Sequence, residues 1–155
     1  MSPYPLEPAR ALGPMRFVIT TYPSRAAALA AVESALAARL AACGNVVDVH
    51  SRYWWKGQVE SSDEALVLFK TVSKRVGALF RHLEANHPYD VPEIVELDVP
   101  RVAAPYLEYL AATLDPESPP PPLGGGPTPT HPGGRRARGA RALGRTRGPR
   151  RRPSR

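Results

Sequence analysis

The chain of 155 residues divides its charge unevenly: Met1 to Asp115 carry 11 Lys+Arg against 13 Asp+Glu, whereas Pro116 to Arg155 carry 10 Arg against Glu117 alone, so the net +7 is −2 plus +9. Those last 40 positions also hold 10 of the 19 prolines and 8 of the 12 glycines, a composition that buries too little apolar surface to offset the entropy of ordering. A lone cysteine, Cys43, excludes an intramolecular disulfide and a paired-cysteine zinc site, and no apolar run approaches the roughly 20 residues of a membrane span.

One domain is therefore expected over residues 15–115, since about a hundred residues support a single core. Residues 1–14 read as a disordered extension and 116–155 as a disordered Pro/Gly/Arg-rich basic tail. The opening Ser2-Pro3-Tyr4-Pro5 has neither the basic start nor the apolar stretch of a signal peptide, which predicts a cytoplasmic protein without membrane contact. Periodicity begins at Met15, an expected alternative start.

Arg16 to Tyr22 reads as a strand from Val18, Ile19, Thr20 and Thr21, and Pro23 ends it. Ser24 offers an N-cap to a helix whose Leu29, Val32, Leu36 and Leu40 recur at helical spacing, with Gly44 as the expected stop. Val46 to Trp55 and Glu64 to Thr71 are strands joined through a Lys56-Gly57 turn, which makes a long hairpin. Ser73 is placed as the cap of a second helix with Val76, Leu79, Phe80 and Leu83 on one face, ending before His87-Pro88. Glu93 to Val99 alternates, with Val95, Leu97 and Val99 expected on the buried face. A final helix aligns Tyr106, Leu107, Leu110 and Leu114.

The order predicts an α+β fold, a ferredoxin-like βαββαβ sandwich with a long hairpin and a C-terminal helix. Ten residues from Val46 to Trp55 reach roughly 33 Å, more than the flanking strands can pair, so part of the hairpin overhangs. Adjacent Trp54 and Trp55 point to opposite faces, and an overhang carrying them with Tyr53 needs a cover. A second copy of the chain is the economical one, which predicts a homo-oligomer.

Ser51, Tyr53, Trp55, Gly57 and Glu60 form the pattern S-x-Y-x-W-x-G-x-x-E. Together with Leu40-Ala41-Ala42-Cys43, Lys70-Thr71 and His87-Pro88-Tyr89-Asp90-Val91-Pro92-Glu93-Ile94, it resembles the CutA divalent-cation-tolerance family from Met15 to about Leu114. The resemblance implies a homotrimer with the architecture of PII signalling proteins and a link to copper(II) or other divalent metal ions; no enzyme activity is expected from the residues.

On that resemblance Cys43 and His87 are the candidate metal ligands, a thiolate and an imidazole suiting copper better than magnesium or calcium. Against them stand plain structural uses: Cys43 as a small buried group at a helix end, His87 as a partner of a constrained turn. Thr20 and Asn86 stand where some metal-associated relatives have a further cysteine and histidine. His50, His82, Asp90 and Glu93 could add donors, but their spacing forms no recognised ligand motif.

Tyr53, Trp54, Trp55, Gly57, Glu60, Lys70 and Glu93 are read as a trimer interface. The alternative is an intersubunit cleft of a PII-like sensor in which Lys70 meets a small anionic ligand and the aromatics stack on it. No phosphate-binding glycine loop precedes a helix, and neither Cys43, Ser51 nor Ser73 lies in a hydrolase signature. Asp63-Glu64 reads as a solvated turn pair. The arginine tail could contact nucleic acid without sequence preference, through phosphates.

Overall fold

The computed structural model describes residues 11–117. Expectations for residues 1–10 and for most of the basic tail, including its nucleic-acid contact, lie outside the described residues. The elements run β1 (Met15–Tyr22), α1 (Arg25–Ala37), β2 (Cys43–Trp55), β3 (Gln58–Val72), α2 (Ser73–Asn86), β4 (Ile94–Asp98) and α3 (Ala104–Leu114). The strands form one antiparallel sheet in the order β2-β3-β1-β4. This is the expected α+β architecture.

Strand alternation divides the core into two clusters, one on each face of the sheet. Val18, Tyr22, Val67 and Phe69 face α1 and α2, where Ala28, Val32, Ala35, Val76, Leu79 and Leu83 pack on them. On the other face Met15 and Val72 meet Leu110 and Leu114 of α3. That helix covers one end of its face and leaves the rest open.

Ser24 caps α1 as its side chain accepts from the Ala27 amide. The apolar stripe of α1 differs from the expected one: Ala28, Val32 and Ala35 are buried, while Leu29 and Leu36 are 45% and 37% exposed. Methyl side chains let the helix lie close to the sheet, so the inward face is the alanine face. Nor is Gly44 the helix stop. The helix ends at Ala37, and the left-handed turn falls at Arg39 (φ 52°), five residues earlier than the glycine. Ser73 begins α2 without capping it; its amide instead donates to the Pro14 carbonyl at 2.8 Å. With Leu12 packed on the second cluster, the packed chain reaches back past the expected boundary at Met15.

The hairpin does overhang. β1 pairs β3 only from Val72 to Ala65, whereas β2 and β3 continue together to Trp55↔Gln58. About seven residue pairs, roughly 24 Å of ribbon, extend beyond β1. At its tip Lys56 (φ 48°) and Gly57 (φ 80°) both take left-handed conformations, forming a two-residue turn that matches the strand twist. Trp54 is 75% exposed and Trp55 44%.

β4 corrects another expectation. Ile94 packs against the helix-covered core, and Val95 and Leu97 lie on the opposite face with about two fifths of their surface exposed. The alternation was right; of the three residues expected inward, Val99 packs on the second cluster while Val95 and Leu97 stay exposed. Register explains this: Ile94 stands beside Thr20 in the covered row, and Val95 beside Ile19 in the open row.

Candidate functional site

Cys43 opens β2 and is a half-buried free thiol. It opens a strand six residues after α1 ends, so the expected placement at a helix end does not hold. Its cross-strand partner is Lys70, whose ammonium lies 6.0 Å from the Tyr106 ring centre on α3. Burial and the nearby Cys43 push the Tyr106 hydroxyl up to about 12.

His87 lies at the C-terminal end of α2, in contact with the far end of β1. Its ring stacks on Tyr22 with centroids 4.5 Å apart and planes at 20°. Nδ1 accepts the Tyr89 amide at 3.1 Å, which leaves the proton on Nε2 to be donated toward Thr20 Oγ1, also at 3.1 Å. Both ring nitrogens are thus engaged within the subunit. Burial lowers the His87 pKa, partly offset by the Thr21 backbone.

The two candidate ligands do not meet in one subunit. Cys43 is level with Lys70, which pairs with Phe17, whereas His87 bonds Thr20, three residues further along β1 and on the opposite face. That separates them by roughly 10 Å along the strands and roughly 10 Å across them. Of the further donors, His82 lies apart and bonds Ser34 at 2.8 Å, while His50, paired with Asp63, borders the same cleft as Asp90 and Glu93. Among the described residues no group of three or more His, Cys, Asp or Glu is placed to hold a metal ion.

The motif residues of the hairpin divide likewise. Tyr53↔Glu60 and Trp55↔Gln58 pair near the tip, and Gly57 makes the turn. Lys70 lies ten residues from Glu60 on the same strand, beneath α3 rather than beside the aromatics.

What the fold does assemble is a cleft of about 740 Å³ between the hairpin and the loop after α2. Tyr53 and Trp55 line one side, Asp90 and Glu93 the other, with Thr21, Glu64 and Tyr89 between them. The Tyr89 hydroxyl donates to Glu64 Oε1 at 2.8 Å, and burial together with that carboxylate raises its pKa. Glu64 is therefore a strand residue with a bonding role, and Asp63 a hydrogen-bond partner of His50; neither is a turn residue. The sequence reading missed the Glu64–Tyr89 bond, which joins positions 25 apart with no local pattern between them.

Residues 16–113 match a family described as CutA1 divalent ion tolerance protein. The chain is 39% identical over 98 residues to "Protein CutA 1, chloroplastic" of Oryza sativa subsp. japonica, covering 63% of this chain and 55% of that protein. It is 35% identical over 100 residues to "Divalent-cation tolerance protein CutA" of Thermotoga maritima, covering 64% of this chain and 99% of the relative. The chain thus spans about half the plant relative and nearly all of the bacterial one. A solved structure from Archaeoglobus fulgidus, described as a periplasmic divalent cation tolerance protein CutA, aligns with a TM-score of 0.64 at 28% identity, over 65% of this chain and 99% of that one.

Proposed function

Since the chain belongs to the CutA1 divalent ion tolerance protein family, we propose that it serves divalent-cation tolerance as a cytoplasmic homotrimer that binds copper or another divalent metal weakly. The family match across the whole folded domain is the observation that carries this reading. The family is named for tolerance rather than for a reaction, and the proposed role is binding without catalysis.

Cys43 is the better supported ligand. Its thiol is free and half-buried, and a sulfur donor favours copper over hard cations. His87 can ligate only by giving up its bond to Thr20 or from the Tyr89 amide. An ion that uses both residues must draw them from different subunits.

Assembly is supported by the open sheet face. Val47, Val95, Leu97, Tyr53 and Trp55 are all exposed there, an apolar area of the kind that marks association. The unpaired ribbon points the same way, because a two-stranded hairpin is marginal by itself in water.

Native mass spectrometry of the full chain during a copper titration, without reducing agent, counts subunits and metals together. The expected spectrum is a trimer that takes up copper, with uptake weakened in Cys43→Ser and less so in His87→Asn. Unchanged stoichiometry and affinity in both variants would refute the ligand assignment, and a monomer at micromolar concentration the assembly.

A further inference from the structure

We propose that the groove between α1 and α2 binds a small neutral molecule with an apolar body and one hydroxyl, of the class of simple phenols. The groove encloses about 340 Å³ and lies on the helix side of the sheet, opposite the open face that the proposed assembly covers. Ala27, Ala30 and Ala31 of α1 form one wall and Leu83 of α2 the other. Small side chains by themselves leave only a gap between helices. The group at the floor makes this gap a site. Tyr22, the last residue of β1, belongs to the covered row of the sheet and lines the groove. Its side chain rises from the sheet between the two helices, which brings the far end, the hydroxyl, to the groove. Tyr22 is 3% exposed. The hydroxyls of Tyr89 and Tyr109 donate to Glu64 and to the Ala42 carbonyl, whereas that of Tyr22 has no hydrogen-bond partner among the described residues. Burial pushes its pKa up to about 12, and no bonded group contributes. Leaving such a group unbonded is costly, and native interiors satisfy their polar groups with protein, water or ligand.

The chemistry of the lining selects the occupant. No Lys, Arg, Asp or Glu lines the groove, so a charged ligand would lose hydration without a counter-charge. The donors at the rim are already engaged: Ser34 Oγ and His82 Nε2 lie 2.8 Å apart across the helices, and Asn86 Nδ2 donates to the His82 carbonyl at 2.8 Å. The free polar group is therefore the Tyr22 hydroxyl, which can both donate and accept; a ligand hydroxyl answers both capacities and a carbonyl only one. Length sets the size. Ala27 and Ser34 are separated by roughly 10 Å along α1, and the Ser34–His82 bond bars one end. A rigid ring suits so short a groove, because it brings apolar area with little conformational entropy to lose.

The inference needs neither metal ligation nor the subunit seam, and its failure would leave both readings intact. The experiment is a fluorine NMR titration of the full chain with para-fluorophenol, beside para-fluorotoluene, which carries a methyl in place of the hydroxyl. Saturable binding of the phenol is expected at millimolar concentration, about fivefold tighter than the toluene when the two are compared at about 1 mM. Tyr22→Phe keeps the ring and its stacking on His87 and removes only the hydroxyl, so it should bind the two probes within about twofold of each other. Ala30→Leu, at an exposed position, fills the groove and should weaken both probes by about tenfold or more. A preference for the phenol undiminished in Tyr22→Phe would overturn the inference, and so would binding unchanged in Ala30→Leu, which would put the probes elsewhere. Absence of saturable binding up to about 10 mM para-fluorophenol would overturn it as well, the hydroxyl then being met by water alone.

Discussion

Replacing Gly44 with alanine tests how closely α1 lies on the sheet. A Cβ at Gly44 would stand 2.7 Å and 2.8 Å from the two methyl carbons of Val32 and 3.3 Å from its Cβ. Favourable carbon contacts begin near 3.5 Å, so two contacts are too short by roughly 0.7 Å. Val32 cannot turn away: it is 6% exposed, and a β-branched side chain in a helix has one strongly preferred rotamer. The helix or the strand has to move, an overpacking cost of about 2 kcal/mol. For a domain of this size that corresponds to roughly 8–16 °C in melting temperature. Urea unfolding followed by circular dichroism, at one fixed protein concentration, measures it. Val32→Ala by itself should cost about 2 kcal/mol by leaving a cavity. The pair should recover at least about 1 kcal/mol relative to the sum of the single changes. A Gly44→Ala variant within about 0.5 kcal/mol of the parent, or strictly additive double-variant energies, would show that the close approach does not set the position of α1.

His87 should make stability fall on mild acidification. Its pKa is lowered by burial, so the unfolded chain takes the proton first; the contribution is complete above about 6.5 and is lost as pH falls through that value, levelling off below the folded pKa. The stability difference between the parent and His87→Asn should therefore narrow from pH 8 to pH 5.5, and a constant difference would show that the ring is not held neutral. At the hairpin tip, Lys56→Asn should stabilise by about 0.5 kcal/mol, because Lys56 adopts a left-handed conformation that asparagine tolerates better. An unchanged or lower urea midpoint would argue against that turn geometry.

Much of the architecture was legible in local pattern. The cap at Ser24 and the Lys56-Gly57 turn depend on residues within a few positions of one another, the overhang followed from strand length alone, and each is present in the fold. The inward face of α1 was not legible, because alanine serves equally as helix former and as core filler, and weighting large apolar residues selected Leu29 and Leu36 instead. In β4 alternation fixed two faces without saying which was covered; that depends on pairing with β1, far away in sequence. The candidate site was legible only as a set of residue types. His87 reads alike whether it binds metal or bonds Thr20, 67 positions distant, and nothing near Glu64 announces Tyr89.

The place of β1 in the sheet has a consequence for how the protein is made. This strand leaves the ribosome first, yet its two neighbours are β3 and β4, and its ion pair from Arg16 to Glu96 spans 80 positions. At roughly 5–20 residues per second the ribosome needs about 4–15 s after β1 to deliver β4. β3 can pair one edge of the strand before then, but the edge that β4 will take stays unpaired throughout that interval. Loop closure over such separations also slows the search once the chain is complete. The two hairpin strands are adjacent in sequence, but the subunit waits for the small strand that closes it.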